Sequence, residues 1–77
     1  MKVTVLFFGK LGEIPGKKSM ELVDLLDTDE LVKKLNADFP AMKEMKYIIA
    51  VDKQVIQENT PLSDNSTVAF LPPYAGG

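Results

Sequence analysis

Apolar and polar positions alternate from the second residue onward. Val3, Val5 and Phe7 fall on one side of an extended chain, and Lys2, Thr4, Leu6 and Phe8 on the other. This period of two predicts a strand over Lys2–Phe8 with the Val3 set facing a core. Gly9 to Lys18 carries three glycines and Pro15, which predicts a loop with one helical turn around Leu11. Ser19–Val23 resumes a strand-like pattern and can pair antiparallel with the first strand across that loop. A longer period then takes over. Leu31, Leu35 and Phe39 recur at helical spacing as a core-facing stripe, with Lys33 and Lys34 outward. Asp27 is placed to cap this helix, Glu30 three residues later completes a capping box, and Leu26 with Leu31 fits a hydrophobic staple. Pro40 ends it, because the residue before a proline is pushed out of helical geometry.

Tyr47–Val51 is an apolar, β-rich run and reads as a buried strand, followed by a tight turn at Asp52-Lys53 and a short strand over Gln54–Ile56. Turn chemistry fills Asn59–Asn65, with Leu62 inside it as an anchor. Thr67–Leu71 forms the last strand, with Val68 and Phe70 inward and Ala69 and Leu71 outward. Pro72 and Pro73 stop it, since neither can donate a ladder hydrogen bond. The order predicts an α+β fold, a mixed sheet of four to five strands with one main helix packed on one face. Residues 1–77 are expected to form a single domain whose last six residues, 72–77, are an extended tail.

Composition narrows what such a domain can do. The chain of 77 residues has no Cys and no His, and all nine of its basic residues are lysine. Disulfides, thiolate metal sites, cysteine nucleophiles and the usual general base are excluded. A net charge of −2 argues against nucleic acid as a partner, because phosphate binding calls for a basic face. No apolar run approaches the roughly 20 residues that span a bilayer, and no signal-peptide layout precedes the first strand. A cytoplasmic protein without a membrane partner is expected. Asp27-Thr28-Asp29-Glu30 is the densest acidic cluster, and acids at a helix start are better explained by the macrodipole and cap than by a metal. The pairs Lys17-Lys18 and Lys33-Lys34 read first as solvated faces. These side chains do not by themselves make an enzyme.

The end of the chain is different. From Ser66 to Gly77 there is no charged side chain, and the sequence closes on Leu71-Pro72-Pro73-Tyr74-Ala75-Gly76-Gly77. Without Cβ atoms, Gly76 and Gly77 can enter a channel too narrow for other residues. Six residues from Pro72 reach about 20 Å when extended. The two prolines stiffen the base of this stalk and reduce the entropy lost on insertion. A Gly77 carboxylate activated with ATP would be open to attack by a sulfur or nitrogen nucleophile. Phe8 and Leu71 at outward strand positions and Val55 near a sheet edge are the candidate partner-binding residues.

Three stretches together resemble the small, sulfur-carrier subunits of molybdopterin synthase in the ubiquitin-like β-grasp fold. They are Val3-Thr4-Val5-Leu6-Phe7-Phe8-Gly9, then Asp52-Lys53-Gln54-Val55 before Pro61-Leu62-Ser63-Asp64, and Val68 to Gly77 with its paired prolines before diglycine. The resemblance implies that an ATP-dependent enzyme adenylates Gly77 and that a sulfur donor protein converts it to a thiocarboxylate. The tail, Pro72, Pro73, Tyr74, Ala75 and Gly76, would then insert into a large synthase subunit, in a heterotetramer, and deliver sulfur to a cyclic pyranopterin precursor of the molybdenum or tungsten cofactor. No permanently bound cofactor is implied, ATP being used by the activating enzyme, and the small subunit would not be catalytic alone. Two positions depart from the family pattern. Asn65-Ser66 stands where Gly-Asp is usual, and Asn tolerates the left-handed turn. Tyr74 is bulkier than the residue expected there. The same terminus would also suit a thiamine-pathway sulfur carrier, a protein modifier joined through Gly77 to lysines, or a non-covalent binding module.

Overall fold

The structure, a computed structural model, describes residues 1–73. Its elements are β1 (Lys2–Phe7), a 3₁₀ helix (Gly9–Glu13), β2 (Ser19–Val23), α1 (Thr28–Asp38), a second 3₁₀ helix (Pro40–Glu44), β3 (Ile48–Val51), β4 (Gln54–Ile56) and β5 (Thr67–Leu71). The strands form one five-stranded sheet in the order β2-β1-β5-β3-β4. β1 and β5 run parallel at its centre, with Val5 beside Val68 and Phe7 beside Phe70. The β1–β2, β3–β5 and β3–β4 pairs are antiparallel. Both central strands therefore run toward the same end, and the chain leaves β5 there.

The core lies between one sheet face and α1. The inward set of β1, Val3, Val5 and Phe7, meets Val68 and Phe70 of β5 and Leu31 and Leu35 of α1, all buried. Phe7 stacks on Phe70 with ring centroids 5.7 Å apart, and Tyr47 meets Phe70 edge-on at 5.0 Å. Tyr47 thus packs on the core from just before β3, which begins at Ile48 and not at Tyr47. β1 likewise ends at Phe7, one residue earlier than the alternation indicates, because Gly9 turns the chain with φ +57°.

The helix start differs from expectation in an instructive way. The Asp27 side chain accepts from the Glu30 N–H at 2.9 Å, as a cap should. Glu30 reaches back to the N–H of Leu26 at 2.7 Å, one residue beyond the cap. Another first-turn donor, the Asp29 N–H, is taken by the Asn59 side chain at 2.9 Å. The staple is not formed: Leu26 is 69% exposed, and its neighbour Leu25 turns into the core. At the other end α1 stops at Asp38 as expected, with Phe39 out of helical geometry at φ −133°, and the chain then enters the second 3₁₀ helix. Pro40 occupies its first turn, where a missing N–H costs nothing, and Met42 is buried beneath it.

The Asp52-Lys53 turn joins β3 to β4 with both residues at positive φ, 48° and 73°, the sense that matches strand twist in a two-residue hairpin. Asn65 takes φ 68°, so the turn survives without glycine. Leu62 is buried as an anchor. Among the described residues, no helix is long and apolar enough to cross a membrane, and no group of three or more acidic side chains is placed to hold a metal ion.

Candidate functional site

The sheet face away from α1 carries the site. Outward residues of the two central strands bring Leu6 beside Ala69, while β3 places Ala50 on the other side of Ala69 and Ile48 beside Leu71. β4 then sets Val55 against Ala50. Two alanines between larger neighbours leave a hollow of about 510 Å³, bordered by Leu6, Phe8, Ala50, Val55, Ala69 and Leu71. Asp52, Lys53 and Thr67 supply its polar edge. Phe8 is 44% and Val55 61% exposed, so large apolar groups stand at the rim of a concave apolar floor. Such an arrangement fits the anchored centre of a protein interface.

Phe8, Val55 and Leu71, selected from the sequence as separate surface positions, thus share one hollow. The sequence pattern marked Leu6 and Ala69 as outward but did not single them out as part of a site. Ala50 sits in a wholly apolar run, where no alternation tells one face from the other. Phe8 lies just past β1, yet its N–H still donates to the Phe70 carbonyl at 3.0 Å. That bond fixes the ring at the end of the sheet where β5 releases the tail.

The root of the tail is held closely. A Cβ added to Gly9 would lie 3.2 Å from the Pro72 Cγ, so the glycine both makes the turn and leaves room for the proline ring. Pro72 is half-buried and Pro73 exposed. Together with Gly9, Lys10, Leu11, Met45 and Lys46 they border a second hollow of about 220 Å³. Gly9 is the residue that sequence reasoning missed as part of the site. Its signal was a glycine ending an alternating strand. The remaining tail residues expected to insert or react, Tyr74, Ala75, Gly76 and Gly77, lie outside the described residues. Of the titratable groups, the Tyr47 phenol is raised above its ordinary value by burial; it faces the core and belongs to neither hollow.

A mixed β2-β1-β5-β3-β4 sheet with one helix across a face, an apolar opposite face and a strand delivering the C-terminal segment beside it define a ubiquitin-like β-grasp protein. Residues 5–77 match the ThiS family, and the chain belongs to that family. It is 32% identical over 82 residues to the molybdopterin synthase sulfur carrier subunit of Mycobacterium tuberculosis, covering 100% of this chain and 99% of that protein. A chain of the protein–protein complex of subunits 1 and 2 of the molybdopterin-converting factor from Helicobacter pylori is similar in structure. It superimposes with a TM-score of 0.75 at 30% identity, over 100% of both chains. The small archaeal modifier protein 1 of Methanosarcina acetivorans shares the fold, with a TM-score of 0.81 at 22% identity over 99% of this chain and 96% of that one.

Proposed function

We propose that this chain is the sulfur carrier of a molybdopterin synthase and that the Gly77 carboxylate is its reactive group. The observation that carries this reading is the full-length similarity to a sulfur carrier subunit, joined to an apolar hollow beside the root of a Pro-Pro…Gly-Gly segment. The carboxylate attacks the α-phosphate of ATP on an activating enzyme, releasing pyrophosphate and leaving an acyl-adenylate. A persulfide on a donor protein displaces AMP to form an acyl disulfide. A thiol then attacks the donor's sulfur, so that the thiocarboxylate leaves and the donor departs as a disulfide. The loaded carrier docks its apolar hollow on the large synthase subunit, with Phe8, Val55 and Leu71 as anchors. The tail reaches the pterin site and gives up its sulfur, and water restores the carboxylate. The chain brings no His or Cys to this chemistry, so proton transfers fall to groups of the partners.

Deletion of Gly77 tests the reading. The folded domain and its affinity for the large subunit should persist, because the hollow is built from residues up to Leu71, while dithiolene formation from the purified precursor should stop. A chain lacking Gly77 that still supports sulfur transfer would overturn it.

A further inference from the structure

The net charge of −2 conceals a strong separation of charge between the two ends of the sheet. β1 and β5 run parallel toward the tail, and at that end stand Lys10, Lys17, Lys18, Lys43 and Lys46, all exposed, against Glu13, Asp38 and Glu44. Phe7 donates its N–H to the carbonyl of Lys18, which ties that lysine to the end of β1. Lys10 and Lys46 flank the hollow that contains Pro72 and Pro73, and among the described residues neither takes part in an ion pair. Acids outnumber the lysines at the far end, where Lys2, paired with Glu21 at 3.5 Å, and Lys53 in the turn beside the start of β5 are the opposing cations. Asp64 accepts from the N–H of Lys2 at the start of β1, Asp24 lies 3.8 Å from the terminal amine, and Asp27 and Asp29 occupy the start of α1, where Asp27 bridges to Pro61. Six residues of β1 separate the ends by about 20 Å. That exceeds the roughly 8 Å screening length of physiological salt, so a surface meeting the tail end feels its excess of five lysines over three acids and little of the acidic pole.

We infer that Lys10 and Lys46 form a basic collar around the tail root, and that its partner is a ring of Asp or Glu carboxylates at the mouth of the channel that receives the tail. This rests on the carrier reading given above and adds the chemistry of the receiving surface. The floor between the two lysines is apolar, made by Leu11, Met45, Pro72 and Pro73. An apolar floor between two point charges suits a protein rim with carboxylates on either side. A phosphate backbone would be better served by the planar forks of arginine, and the chain has none. The collar lies where the tail emerges, so attraction there would orient the carrier tail-first before the apolar hollow makes contact. Steering of this kind acts on the association rate more than on the lifetime of the complex.

Stopped-flow association with the purified large subunit tests the collar over a series of salt concentrations. The paired variant Lys10→Gln/Lys46→Gln is compared with a control variant, Lys33→Gln on α1 combined with Lys2→Gln at the far end of β1, which removes the same charge while keeping the 3.2 Å ion pair of Lys34 with Asp38. The collar variant should associate about fivefold to tenfold more slowly at low salt, with a flatter dependence on ionic strength and a dissociation rate within about twofold of the unsubstituted chain. The control variant should match the unsubstituted chain in both rate and salt slope. Equal rates and slopes for the collar variant and the unsubstituted chain would overturn the inference, as would an equal slowing by the control variant. If the unsubstituted chain forms no complex, the carrier reading fails and the collar with it. If it forms one that is indifferent to Lys10 and Lys46, only the collar fails.

Discussion

Replacing Phe8 by alanine removes the largest group at the rim of the apolar hollow. Phe8 is 44% exposed, and a phenylalanine offers roughly 200 Å² to be buried, so about 90 Å² of the residue await a partner. At ~25 cal/mol per Å² this area contributes about 2 kcal/mol when covered, which is roughly thirtyfold in Kd. The rest of the ring is already packed on the chain, so some stability is lost as well. Binding should therefore be measured well below the melting temperature, by titration calorimetry against the large synthase subunit. Leu26→Ala is the control. Leu26 is 69% exposed and lies away from the hollow, so an argument from exposed apolar area alone would rank it above Phe8. We expect Phe8→Ala to weaken the complex about thirtyfold and Leu26→Ala to leave it unchanged. Equal effects of the two, or none from Phe8→Ala in a chain that remains folded, would refute the assignment of this face.

Other consequences are local. Asp27→Ala removes the acceptor for the Glu30 N–H and should lower unfolding stability by about 1 kcal/mol; an unchanged urea midpoint would contradict the capping role. Gly9→Ala and Gly16→Ala both force a side chain into positive φ, at +57° and +76°, but only the first meets Pro72, since nothing lies within 4 Å of the second. Both should destabilise the fold by about 1–2 kcal/mol, whereas only Gly9→Ala should also slow sulfur transfer; identical activities for the two would remove Gly9 from the site. Burial raises the Tyr47 phenol above its ordinary value, so folding favours the protonated form. That contribution to stability is complete below about pH 10 and is lost as pH rises through the higher folded-state value. In a Tyr74→Phe background, ultraviolet titration should show one phenol ionising later than free tyrosine, and a midpoint at or below the free value would contradict the packing of Tyr47.

Elements governed by local pattern were legible in the sequence. β2 and β5 occupy Ser19–Val23 and Thr67–Leu71 as expected, because alternation and flanking turn residues mark both ends. The hairpin at Asp52-Lys53 and the cap at Asp27 are likewise short-range signals. What depended on distant partners was not legible. Asn59 supplies a second cap to α1 from 30 residues away, beside the Asp27 cap that local spacing suggests. Pro40 ends α1 as its sequence position indicates, with Phe39 out of helical geometry, but that it also begins the next helix over the buried Met42 was not legible. The sheet order is also non-local, and it alone places Val55 from β4 near Phe8 from the end of β1. The hollow exists because Ala50 and Ala69 become neighbours, a coincidence of register that neither strand announces alone.

The central claim is that sulfur travels on the Gly77 carboxyl group, and intact-mass measurement tests it most directly. The full chain is incubated with its activating enzyme, ATP and a sulfide source, then weighed before and after addition of the large subunit with precursor. The account predicts a gain of about 16 Da, sulfur in place of one carboxyl oxygen, that disappears when the acceptor is supplied and never forms in a chain lacking Gly77. A chain that gains no such mass and accumulates instead in covalent adducts with lysines of other proteins would contradict the carrier account and identify a modifier.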